Sequence, residues 1–316
     1  MLRFLRGLVL LVLSAVCSSG LSAAEKLNLL LITVDDMSAD SIGAFGCELT
    51  DTTPNIDRLA REGLRFTKAH VQVGNCMPSR NVMWSGRYPH NNGVEGFYQV
   101  KDPGYPVLVD MMKAAGYFTA IRHKIEHSTP YAPFGWDMEL NELPNGQKAH
   151  IKDAKSYGES CRRAMASARE AGKPFCILIN ISDPHKPFYS QVKQGSDPHV
   201  PSRIFGPGGM PVPGFLPEDD AVKKELALYY SSVRRADDAV GEVLHALEQS
   251  GLADNTFVFF LSDHGMPLPF AKTQLYHHST RTPLMIRWPG VTKANSVDSN
   301  HMVSAVDFLP TLAEVM

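Results

Sequence analysis

Two hydrophobic rhythms alternate along the chain. Residues 27–34 read Leu-Asn-Leu-Leu-Leu-Ile-Thr-Val, a near-continuous apolar run. Such a run predicts a strand buried on both faces, as in a parallel sheet covered by helices. Residues 175–181 and 256–261 repeat it, and 64–73, 117–121 and 282–290 read as further strands. Between them, apolar residues recur at helical spacing. Residues 53–63 open on Thr-Pro and stop at Gly63, 107–115 stop before Gly116, and 156–171 carry a third helix. The longest helix spans 218–250 and ends at Gly251. Its stripe of Leu226, Tyr230, Val233, Ala236, Val240, Leu244 and Leu247 is core packing. Strands alternating with helices predict an α/β fold around a large, mostly parallel sheet. Residues 130–150 and 191–217 are rich in Pro and Gly without periodicity, and read as long loops with a role in binding.

Three apolar runs end in polar clusters: Asp35-Asp36, Ser182-Asp183-Pro184-His185 and Ser262-Asp263-His264-Gly265. Open α/β sheets place ligands at the carboxyl ends of their strands. Adjacent carboxylates repel unless a cation or solvent separates them, which suggests a divalent metal, although taken alone the pair reads first as a polar loop start. His185 reads either as an acid–base group or as a loop histidine. Cys76-Met77-Pro78-Ser79-Arg80 opens another helix, where proline is tolerated in the first turn. Cys76 then lies at the positive helix end, with Arg80 one turn on along the same face. Alone, this reads equally as a structural cysteine beside an arginine. Arg122 to His127 is a basic stretch, either solvated or functional.

The 316 residues, 44% hydrophobic and 20% charged, suffice for a sizeable core. A net charge of -2 gives no support for a nucleic-acid partner. Arg3 and Arg6 precede an apolar stretch at 7–16 and the small residues Ser22-Ala23-Ala24. Residues 1–24 therefore read as a signal peptide, with export to a periplasm or beyond the cell; the apolar stretch is short for a membrane span. Five cysteines are too few for a disulfide scaffold. Cys17 leaves with the leader. A Cys161–Cys176 bridge stays open, with burial as small hydrophobes the preferred reading.

Cys76-x-Pro78-Ser79-Arg80, followed by Ser85-Gly86-Arg87, resembles the signature of the type I sulfatases. The segment Thr53-Pro54-Asn55-Ile56-Asp57-Arg58-Leu59-Ala60 resembles a structural segment of that family. Lys124 and His127 are spaced as in iduronate-type carbohydrate sulfatases, with His123 where the family usually has glycine. The stretch from Met266 to Tyr276 resembles the sulfamidase branch. The resemblance implies an alkaline-phosphatase-like α/β sandwich. It implies that a formylglycine-generating or sulfatase-maturing enzyme oxidises Cys76 to formylglycine, whose hydrate is the nucleophile. It implies Ca²⁺ or another divalent metal on Asp35, Asp36, Asp263, His264 and the converted Cys76. Arg80, Lys124 and Lys272 would hold sulfate oxygens, His127 would serve the nucleophile, and His185 the leaving oxygen. The substrate would be a sulfated carbohydrate, O-sulfate before N-sulfate. The expected plan is a leader at 1–24 and a catalytic domain at 25–316. Sulfatases continue beyond the helix that begins at Asp307 into a small C-terminal subdomain, which is missing here. Two alternatives stay open: a phosphate or phosphonate ester hydrolase of the same superfamily, and an inactive remnant that binds sulfated glycans.

Overall fold

The structure, a computed structural model, describes residues 26–191 and 197–316. The leader expected over residues 1–24 lies outside the described residues. Strand β1 (Asn28–Asp35) is buried at all eight positions. Leu30, Ile32 and Val34 enter one apolar cluster, while Leu29 and Leu31 enter another on the opposite face. This two-sided burial is what the continuous apolar run predicts. Further strands are β2 (Leu64–His70), β3 (Phe118–Arg122), β4 (Met138–Glu139), β5 (Phe175–Pro184), β6 (Thr256–Ser262), β7 (Arg281–Arg287), β8 (Ser296–Asp298) and β9 (Val303–Ser304). They form one sheet in the order β4-β3-β5-β1-β6-β7-β2-β8, with β9 also on β2. β1 pairs in parallel with β5 and β6, and β3 in parallel with β4 and β5. Only β7 runs antiparallel to its neighbours, β6 and β2, among the described pairings.

Helices cover both faces. Helix α1 (Pro54–Glu62), α4 (Ala154–Glu170) and α5 (Asp220–Gln249) pack on the first cluster. Helix α2 (Cys76–Ser85) and the helices Leu108–Ala114 and Phe308–Val315 pack on the second. A single turn, α3 (Ile125–Ser128), follows β3. The caps are local: the Asp153 and Asp219 side chains accept from Lys155 N at 3.1 Å and Ala221 N at 2.7 Å. Helix α1 is capped from outside, because Asp237 of α5 accepts from Asn55 N at 3.1 Å and Ile56 N at 2.8 Å.

Several expectations change in detail. The strand expected at 282–290 forms over Arg281–Arg287 and is followed by β8 and β9, which at three and two residues are too short to show a rhythm. The stretch 130–150 carries β4 and a bridge between Glu142 and Lys148. Asn92 is buried, and its Oδ1 accepts from Val94 N at 2.7 Å, so it holds its own turn. The Asp307 side chain makes no cap. Cys161 and Cys176 are free and buried on opposite faces of the sheet, which rules out a bridge between them. No described helix is long and apolar enough to cross a membrane.

Candidate active site

Helix α2 brings Cys76 to the carboxyl ends of β1 and β6. The Asn75 side chain accepts from Cys76 N at 3.1 Å and so caps the helix. All ten residues of α2 are buried, which fixes the helix from every side. Cys76 Sγ lies 3.6 Å from Asp35 Oδ1 and 3.4 Å from His264 Nε2. The two strand ends are tied together. Asp36 N donates to Asp263 Oδ1 at 3.0 Å, and Asp263 N donates to Val34 O at 3.1 Å. Asp36 takes a left-handed φ of 68°, strain of the kind that collects at functional sites. Gly265 is required by close approach: a Cβ there would lie 1.8 Å from His278 O. That turn sets His264 Nε2 3.2 Å from Asp36 Oδ1.

Three cations answer three buried carboxylates. Lys124 Nζ is 2.8 Å from Asp35 Oδ2, and Lys272 Nζ is 2.8 Å from Asp36 Oδ1. Arg80, fully buried, donates from Nε to Asp263 Oδ2 at 3.1 Å and from Nη1 to Thr33 Oγ1 at 2.8 Å and Asn180 Oδ1 at 2.6 Å. Its guanidinium thus braces Asp263 from beneath the cluster. His185 Nε2 lies 4.0 Å from Asp36 Oδ2. His127 sits on α3 with its ring edge-on to Phe97 and its Nδ1 unpartnered.

The environment drives these groups apart. Burial works against the charge of Asp35, but Lys124 and Arg80 outweigh it and hold the carboxyl well below its ordinary value. Burial, with the charges of Asp35 and Asp263, raises Asp36 despite His264 and Lys272. Burial and the carboxylates of Asp35 and Asp263 push the Cys76 thiol up to about 11. The helix terminus, worth about 0.3–1 kcal/mol, loses to carboxylates in contact. An unmodified thiol here stays protonated and is a poor nucleophile at neutral pH. Burial, then Lys124 and Arg80, lower His127 to about 4, so its imidazole is neutral. His185 is raised by its nearness to the Cys76 thiol and then by Asp35 and Asp36.

The ligand atoms of Asp35, Cys76, Asp263 and His264 lie within 4.8 Å of one another, as do those of Asp35, Asp36, Cys76 and His185. Three buried carboxylates meet there beside the His264 imidazole and the Cys76 thiol. This oxygen-rich donor set fits a hard divalent cation.

The fold therefore assembles every residue singled out at the strand ends, together with Lys124 and Lys272. It adds groups that the sequence signalled faintly. Thr33 and Asn180 are polar interruptions of apolar runs, and both hold Arg80. Lys152 and Arg235 had no local signal. Lys152 Nζ reaches Asp183 Oδ1 and His185 O, each at 2.7 Å, and Arg235 Nε reaches Asp183 Oδ2 at 2.6 Å. His277 and His278 pack against His70 and Phe215.

A mostly parallel sheet between helical layers, with a polar cluster at the carboxyl ends of its central strands, is an alkaline-phosphatase-like architecture. Within that class the chain belongs to the sulfatase family, whose model matches residues 27–316. An ulvan-active sulfatase of Formosa agariphila is 27% identical over 339 residues, 94% of this chain and 53% of its own. The N-sulphoglucosamine sulphohydrolase of Homo sapiens is 30% identical over 322 residues, 93% of this chain and 62% of its own. The chain thus spans about half to three-fifths of the length of these relatives. A solved structure in complex with its substrate D-glucosamine-2-N,6-O-disulfate shares the fold, with a TM-score of 0.72 at 19% identity over 92% of this chain and 76% of that one.

Proposed function

We propose that the protein hydrolyses sulfate esters of a sulfated carbohydrate, using a formylglycine made from Cys76 and a divalent cation, with Ca²⁺ the first choice, after export from the cytoplasm. One observation carries this reading: in a chain of the sulfatase family, the signature Cys76 is buried against Asp35 and His264 inside a cation-ready cluster. Asp35, Asp36, Asp263 and His264 would hold the cation with an oxygen on residue 76, and the bound cation would draw charge from the sulfate oxygens.

The side chains have separable tasks. Lys124 and Lys272 supply positive charge to the sulfate as charge develops on it. Arg80 fixes Asp263 and, through Asn180 and Thr33, ties it to β5 and β1. His127, neutral, takes the proton of the hydrated aldehyde as its oxygen attacks sulfur. His185 gives a proton to the leaving oxygen. The second hydroxyl of residue 76 then gives its proton to His185, left basic by the first step, sulfate departs as the aldehyde is restored, and water rehydrates it. A serine there, with one hydroxyl, has no such exit.

The test is production with a sulfatase-maturing enzyme, mass spectrometry of the Cys76 peptide, and sulfate release from sulfated sugars and 4-nitrophenyl sulfate. The expected result is an aldehyde or its hydrate at residue 76 and turnover lost in Cys76→Ala. Faster cleavage of the matching phosphate ester identifies a phosphate or phosphonate hydrolase instead. Glycan binding by converted protein without sulfate release identifies a binding remnant.

A further inference from the structure

One cavity shares its wall with the cluster. It encloses about 490 Å³ and is lined by Lys124, His127 and His185 on the side of the cluster. Glu126, Glu139, Lys186 and Pro187 also line it. That volume is within the range of small-molecule sites and admits a sugar ring. Beside the group assigned to the leaving oxygen, it is the place for the alcohol half of the ester.

The charge of this cavity is unlike a simple count of its residues. Three lysines line it, and each is spent: Lys124 on Asp35 at 2.8 Å, Lys152 on Asp183 at 2.7 Å and Lys186 on Glu225 at 2.6 Å. The lining imidazoles of His123 and His127 are held neutral by burial and the neighbouring Lys124. Glu126 and Glu139 are exposed and, among the described residues, have no cationic side chain within 4.0 Å. His185, the remaining basic group of the lining, is drawn to Asp36 at 4.0 Å, so the charge left without a partner in the lining is that of Glu126 and Glu139. Carboxylates accept hydrogen bonds from hydroxyl, amide and ammonium groups, and they repel another carboxylate.

Resting on the sulfatase reading, we infer that Glu126 and Glu139 set the sugar class: the cavity takes a neutral or amino sugar and turns away a uronic acid. Two carboxylates facing a third at sugar-width distance account for a discrimination of roughly tenfold or more.

The experiment uses the matured full chain with three probes: 4-nitrophenyl sulfate, a set of monosulfated N-acetylhexosamines covering each ring position, and a matching set of monosulfated hexuronates. The expected result is a kcat/KM at least about tenfold higher for the best hexosamine than for the best hexuronate. In the Glu126→Gln, Glu139→Gln double variant that ratio falls about fivefold or more. A preference for hexuronates, turnover of the aryl ester without any hexosamine, or a ratio unmoved by the double variant each overturns the inference. Absence of sulfate release from all three probes overturns the functional reading instead.

Discussion

Lys152 donates from one ammonium to the Asp183 carboxylate and to the His185 carbonyl, so a single buried side chain fixes the turn that aims the His185 imidazole. Its removal acts through proton delivery, which matters only when the leaving oxygen needs a proton. Lys152→Met is expected to lower kcat on a sugar sulfate by about 10²-fold, within the range general acids supply. On 4-nitrophenyl sulfate, whose phenolate leaves unaided, the loss is expected to be several-fold at most. Equal losses on both esters would mean that Lys152 merely stabilises the fold. None of this was legible from Lys152 itself, whose partner lies 31 residues along the chain. Thr33 and Asn180 were more legible, because a polar side chain inside an apolar strand demands a buried partner. Cys76, Asp35, Asp36, Asp263 and His264 stood out for a third reason, since strand ends and a helix start are where backbone geometry collects ligands.

At the level of elements, the β3–α3 junction shows how a local irregularity serves the site. His123 and Lys124 both take left-handed φ angles, of 61° and 49°. A residue with a side chain is held there at a cost of about 1–2 kcal/mol. The junction is tied by His123 N to Asn141 Oδ1 at 3.0 Å and by Asn180 Nδ2 to His123 O at 2.8 Å. His123→Gly is therefore expected to be stabilising by about 1 kcal/mol in chemical denaturation. A loss of stability instead would show that packing of the imidazole outweighs the backbone term. The sequence marked this position only as a histidine in place of a glycine.

The cap of α1 makes a second prediction. Burial raises Asp237 to about 7, against the N–H groups of Ile56 and Asn55. Its folded value thus exceeds the ordinary 3.8, so the folded state binds the extra proton between those values. Stability from this carboxyl is present below about pH 4 and drains away as pH rises towards 7. Asp237→Asn should flatten that part of the profile, measured as denaturation midpoints at intervals between pH 4 and 8. Strand starts were legible here to within a residue and strand ends to within three, whereas β8 and β9 were not, for want of length.

Across the whole molecule, the proposed cation would join the sheet as one mechanical unit, because its proposed ligands sit on the ends of β1 and β6. Saturating Ca²⁺ at about 100 times its Kd should add about 2.7 kcal/mol, a rise of roughly 5–10 °C in the thermal midpoint over chelator-treated protein. An unchanged midpoint would argue against a resident cation. The α/β class was legible from the alternation of rhythms, but the strand order was not, since pairing is chosen by packing between segments far apart in sequence. β1 illustrates this: its partners β5 and β6 begin some 150 and 230 residues later. That separation sets a timetable. At about 5–20 residues per second, synthesis takes roughly 10–40 s to pass from Cys76 to Asp263. During that interval β1 lacks its neighbours and α2 has no floor to pack upon. In the finished fold Cys76 is 2% exposed, too enclosed for another enzyme's active site. The proposed conversion of Cys76 therefore requires the nascent or unfolded chain. Protein folded with an intact thiol should resist conversion, and its denatured peptide should accept it. Clones that fold ahead of their maturing enzyme would accumulate as a permanently silent population.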